Sequence, residues 1–133
     1  MSALLPAHIS TMTITDETNE RTRKIAALND ALRHSTDAIG LLLVNGQHVI
    51  TRGVAARGRA FVVRALRAVR EFSDFTEDND PWGEHDFGAF ALDGVPLNWK
   101  IDCYDNDLEY GSPDPRDPAL TRRVLTILLA EEY

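Results

Sequence analysis

The sequence predicts an α+β fold, and the prediction rests on three local patterns. Leu97, Trp99, Ile101 and Cys103 alternate with Asn98, Lys100, Asp102 and Tyr104, a period of two that marks a half-buried strand. Asp93-Gly94, just upstream, is a two-residue hairpin turn signal that joins this strand to the apolar run Phe87 to Leu92. Phe61, Ala65, Val69 and Phe72 recur at helical spacing, with Leu66 at the edge of their face and Arg57, Arg64, Arg67 and Arg70 on the opposite half. A small antiparallel sheet packed against helices accounts for all three.

Each element follows in chain order. Residues 1–15 show no periodicity and are rich in small and hydroxyl side chains, so a mobile N-terminal arm is expected there, followed by one domain over 16–133. Ile25, Leu28 and Leu32 predict an amphipathic helix over about 18–34, with Asp16 or Thr18 as its cap. Short apolar or β-branched runs at Leu41 to Val44 and His48 to Thr51, around Asn45-Gly46, predict one or two strands within 41–52. The second helix is expected over about 55–72.

The hairpin spans 86–104. A two-residue loop at Asp93-Gly94 sets Leu92 opposite Val95, Phe90 opposite Leu97 and Gly88 opposite Trp99, so the glycine leaves room for a buried indole. The same count sets Phe87 opposite Lys100 and His85 opposite Asp102, close enough for an imidazole and a carboxylate to bond. Three prolines, Pro113, Pro115 and Pro118, keep the next stretch irregular. Asp117 as a cap, Pro118 at the first helical position and the stripe Leu120, Val124, Ile127 and Leu128 then predict a third helix over about 118–131.

Composition narrows the function classes. The chain has 133 residues, 44% of them hydrophobic, which suits one globular core. No apolar run approaches the ~20 residues of a membrane helix, and a lone cysteine, Cys103, cannot form an internal disulfide or a cysteine cluster, so a cytoplasmic protein without membrane contact is expected. The net charge of −7 is strongly polarised: residues 71–118 hold fourteen acids against Lys100 and Arg116, and the remainder carries twelve bases against seven acids. Such polarity steers charged partners and leaves a homo-oligomer open. The arginine face Arg57, Arg64, Arg67 and Arg70 is the one route to direct nucleic-acid binding, with the acidic stretch of the same chain as its competing partner.

The candidate site is Glu71 to Phe90, where seven of twenty residues are acidic and none is Lys or Arg. Asp78, Asn79, Asp80, Trp82, Glu84, His85 and Asp86, with Lys100, Asp102 and Tyr104 from the hairpin, form the expected binding surface. His85, flanked by Glu84 and Asp86, is the candidate acid/base group, with Asp102 and Glu84 as its catalytic companions. An alternative role for His85, Asp86 and Asn79 is structural, fastening the loop to its own backbone. Asp80, His85, Asp105 and Asp107 are weak candidates for a metal, because Asp-Asn-Asp offers hard oxygen ligands but neither copy has calcium-loop spacing; no cofactor is expected. Cys103 is in phase with Trp99 and Ile101, so it reads as a small hydrophobe and not a nucleophile.

The segments FTEDNDPWGEHDFGAF, WKIDCYDNDLEYGSPDP and RRVLTILLAEEY resemble the domain of unknown function 3768 family, over about Arg23 to Tyr133. That resemblance implies short bacterial proteins often encoded on plasmids and other mobile elements, with no activity, cofactor or catalytic residue to carry over. An aromatic residue usual in the family is replaced here by Cys103. Two function classes follow: a non-enzymatic interaction or inhibitor-type accessory protein whose acidic surface over 71–117 engages a basic partner, and a small metal-assisted or acid/base hydrolase centred on His85.

Overall fold

The computed structural model describes residues 14–133. The expected arm lies outside the described residues except for its last two positions, which already belong to the first helix. Helix α1 (Ile14–His34) buries Ile25, Ala26 and Leu32, and Asp16 falls in its first turn instead of capping it. Asn29 and Arg33 are buried on the same face. A six-residue helix, α2 (Ala38–Leu43), follows, with the Asp37 carboxylate accepting from the Gly40 amide at 2.8 Å.

Strand β1 (Gly46–Ile50), a short helix α3 (Arg52–Ala55) capped by Thr51, and helix α4 (Arg59–Glu71) come next. Gly58, at φ 98°, separates the two helices, so the predicted 55–72 helix is split near its start. Phe61, Ala65 and Val69 are its buried residues, as their spacing requires. The hairpin is β2 (Phe87–Leu92) and β3 (Val95–Tyr104), turning at Asp93 and Gly94, both with positive φ. Its register agrees with the sequence count: Leu92 faces Val95, Gly88 faces Trp99 and Phe87 faces Lys100.

Three expectations need correction. Residues 118–131 are not a helix: a single 3-10 turn (Pro118–Leu120) capped by Asp117 leads into strand β4 (Arg122–Leu129), and a second 3-10 turn (Ala130–Glu132) follows. Arg123 to Leu125 and Ile127 to Leu129 are all buried, so β4 is buried on both faces, a pattern that a helical stripe imitates over eight residues. Leu41 to Leu43 close α2 instead of forming a strand, and Asn45, at φ 52°, turns the chain from α2 into β1. The sheet is mixed, not antiparallel: its order is β1-β4-β3-β2, with β1 parallel to β4.

β4 is therefore an interior strand, and the helices cover one face of the sheet. The core joins Leu32, Phe61, Ala65 and Val69 from the helices to Leu97, Trp99, Ile101, Leu125 and Ile127 from the sheet. Trp99 is 0% exposed, and a Cβ at Gly88 would collide with its Nε1 and come within 2.8 Å of Phe72 Cζ. Among the described residues no helix is long and apolar enough to cross a membrane.

Candidate functional site

The acidic stretch between α4 and β2 is a loop fastened at both ends. At its start, Phe72 and Phe75 set their edges against each other at 5.2 Å and against Trp99 at 5.5 and 6.1 Å, tying the loop to the core. In its middle, the Asn79 side chain accepts from the Thr76 amide at 2.8 Å and donates to the Asp74 carbonyl at 2.7 Å, a local pattern that Asn favours in turns. Near its end, Asp80 is buried and accepts the His85 backbone amide, at 3.2 and 3.3 Å.

His85 closes the structure. Its φ of 55° ends the ladder, so the side chain leaves the path that the hairpin register alone would give it. The ring stacks on Phe75, centroids 3.9 Å apart and planes 6° from parallel. Nδ1 donates to the Asp30 carboxylate of α1 at 3.0 and 3.1 Å, and Nε2 lies 3.8 Å from Asp80. The expected His85–Asp102 pair does not form; Asp102 pairs with Lys100 at 2.9 Å. Both ring nitrogens thus face carboxylates from elements other than the hairpin.

Behind His85 lies a polar network with no counterpart in the sequence reading. Arg33 donates through Nη1 to the carbonyls of Val69 at 2.9 Å and Phe72 at 2.7 Å, closing the C-terminus of α4, and through Nη2 to Asp30 at 2.8 Å. Its guanidinium is 5.3 Å from the ring centroids of both Phe75 and Trp99. Asp30 therefore holds Arg33 and His85 together. Asn29 donates to the Glu84 carbonyl at 2.9 Å and accepts from Arg123 Nε at 2.9 Å, and the wholly buried Arg123 also donates to the Pro115 carbonyl. The signal for this network is a helix whose apolar face, Ile25 to Leu32, carries Asn29 within it and Arg33 directly after it.

The electrostatics follow from burial. Burial, and after it the nearby Asp86, raises the Glu84 carboxyl above its ordinary range, and burial with Asp80 and Asp102 nearby raises Asp86. Burial likewise raises the Cys103 thiol, which keeps it protonated and unreactive at neutral pH. Arg123 is lowered by burial.

The ten expected binding residues separate into two groups. Asn79, Asp80, Glu84 and His85 belong to the fastened loop, with Asp78 and the 80% exposed Trp82 at its outer surface. Asp86 hands its carbonyl to the Ile101 amide where the loop meets the sheet. Lys100 and Asp102 pair on the sheet face that the helices leave uncovered, and Tyr104 at the end of β3 bridges to Gly111. Asp105 accepts from the Glu109 amide at 3.0 Å, which makes the second Asp-Asn-Asp a turn. Among the described residues no three His, Cys, Asp or Glu side chains converge as a metal site would require.

The arginine face finds a carboxylate within the acidic segment 71–118 of its own chain, as expected, at Asp93 and not in Glu71 to Asp86. Arg64 clasps Asp93 in the hairpin turn through both terminal nitrogens, and each group's pKa moves in favour of its charged form, mainly through that hydrogen bond. Arg57 lies over the Phe61 ring at 5.7 Å. Among the described residues neither Arg67 nor Arg70 has a carboxylate within salt-bridge distance.

Fold and site together define a class: an α+β protein whose mixed four-stranded sheet and first helix hold an acidic loop fastened by internal bonds. The model of the family described as "Protein of unknown function (DUF3768)" matches residues 50–132, and the chain belongs to that family. The match opens at the last residue of β1, so α1 and α2 lie outside it. No curated protein matches the chain, and no solved structure does.

Proposed function

We propose that the protein is a non-enzymatic binding module of the inhibitor or accessory type, which presents loop 74–86 to a basic partner surface. The observation that carries this reading is the contrast within the loop: His85, Asn79 and Asp80 are committed to internal bonds, while Trp82 stands 80% exposed beside exposed Glu77 and Asp78. A loop already fixed loses little conformational freedom on binding, and an exposed indole with neighbouring charge has the composition of an interface anchor. Glu71 and Asp74 extend the same exposed acidic surface.

The acid/base alternative requires of His85 a ring nitrogen free to meet a substrate. Nδ1 is held by Asp30 and Nε2 faces Asp80. The His–carboxylate contacts therefore serve the loop's shape better than proton transfer.

The test uses intrinsic fluorescence. Trp99 is fully buried, so a change in emission on adding an arginine-rich peptide reports Trp82. The expected result is a titratable shift at low ionic strength that fades as salt rises past ~0.1 M. Trp82→Phe removes the signal, and Glu77→Gln with Asp78→Asn weakens binding. Identical spectra with and without peptide at low salt would overturn the reading.

A further inference from the structure

A strand at the edge of a sheet offers free backbone amides and carbonyls, and proteins usually guard it with a charge, a proline or a bulge. β2 is an edge strand and has none of these. FGAFAL contains no charged residue in a chain that is 26% charged, and its pairing with β3 runs uninterrupted from Phe87 to Leu92. The opposite edge differs, because β1 has no exposed residue whereas β2 exposes Ala89 and Ala91.

The free groups of β2 can be located from its ladder. The Asp86 carbonyl accepts the Ile101 amide at 2.8 Å, so Asp86 is a hydrogen-bonded position and the antiparallel alternation counts on from it. Gly88, Phe90 and Leu92 turn their amides and carbonyls toward β3. Phe87, Ala89 and Ala91 turn theirs toward the open edge, where no partner meets them among the described residues. The side chains of these three lie on the sheet face that the helices leave uncovered, with Phe87 opposite Lys100. Such an edge fits another antiparallel strand, and the order of sizes along β2 says which one. A second β2, turned about a two-fold axis at Ala89, sets Ala89 against Ala89 and Phe87 against Ala91, so each large ring meets a small side chain. Every outward amide and carbonyl of the three residues then finds a partner. Moving the axis to Phe90 would set Phe87 against Asp93, whose positive φ belongs to the turn and does not extend a ladder.

We propose that the protein forms a two-fold dimer through β2, paired antiparallel about Ala89, so that two four-stranded sheets join into one with the helices of both copies on the same face. The contact is isologous and closes on itself, which leaves no β2 edge for a third copy. Each copy carries a net charge of −7, so charge opposes the association and added salt favours it. The inference does not depend on loop 74–86 binding a partner.

Sedimentation of the full chain over concentrations from about 10 μM to about 1 mM tests it. The expected result is an equilibrium between monomer and dimer with no larger species, and a dimer fraction that rises with salt. Ala89→Lys and Ala89→Asp each set like charges against each other at the axis and weaken dimerisation at least about tenfold. Because Ala89 is exposed, both variants still melt cooperatively. An equimolar mixture of the two recovers the dimer, since opposite charges then face each other, and Trp82→Ala leaves the dimer intact. A wild-type chain that is monomeric at every concentration and salt overturns the proposal, as does an Ala89→Lys protein that dimerises like wild type or a mixture that stays monomeric. Species larger than a dimer, or a dimer lost on Trp82→Ala, would place the contact elsewhere and overturn it as well.

Discussion

Arg33 shows how one residue organises a site without being near the surface. Its guanidinium closes α4, neutralises Asp30 and lies against two aromatic rings, so Arg33→Met keeps the apolar stem but strands the carbonyls of Val69 and Phe72. A loss of at least ~2 kcal/mol in urea unfolding is expected, since buried acceptors left unmade cost ~1 to 3 kcal/mol each. Trp99 behaves differently, because its buried Nε1 has no partner and its contribution is packing. Trp99→Ala should lose ~3 to 5 kcal/mol and Trp99→Phe much less. Gly88→Ala meets the indole first and Phe72 Cζ second, so a double-mutant cycle with Trp99→Phe should show partial coupling. Glu84 supplies a pH test. Its pKa is raised in the folded state, mainly by burial, so its contribution favours folding at low pH and is lost as pH rises through the folded value. Glu84→Gln should therefore raise the melting temperature at pH 7, and the gain should vanish below pH ~4, where unfolded Glu is protonated as well.

Among the elements, the hairpin was legible and β4 was not, for one physical reason. Asp93-Gly94 and a strict alternation from Leu97 to Cys103 permit a single register, and the observed pairing agrees with it. β4 is buried on both sides, so it has no alternation to read, and Asp117-Pro118 is a helix start that here opens only one 3-10 turn. Trp99 in the core was legible from phase alone, as was the arginine face of α4. The loop's internal buckle was legible in part: Asn79 and His85 do fasten it, but Asp30, 55 positions away, supplies the carboxylate expected from Asp102. A positive φ at His85 is what breaks the register count, and a histidine does not announce such a backbone as glycine would. His85→Ala should lower stability by ~1 to 3 kcal/mol and loosen amide protection in 74–86 while leaving that of β3 and β4 unchanged, as hydrogen exchange can measure.

At the scale of the molecule, the order β1-β4-β3-β2 makes the sheet depend on its last strand. β4 stands between β1 and the hairpin and carries much of the sheet's share of the core. A chain ending at Leu120 should show no cooperative thermal transition, whereas one ending at Ala130, which keeps β4 but removes the Glu132 contacts to Thr51 and Leu129, should melt cooperatively at a lower temperature. The position of β4 also sets a schedule for synthesis. Gly46 must wait for Arg123, made 77 positions later, which at ~5 to 20 residues per second is ~4 to 15 s. Throughout that interval β1 lacks the neighbour it will pair with and the aliphatic residues of α1 and α4 lack the sheet that will cover them. On the ribosome the nascent chain thus offers chaperones an unpaired edge and an uncovered apolar surface until the final strand arrives.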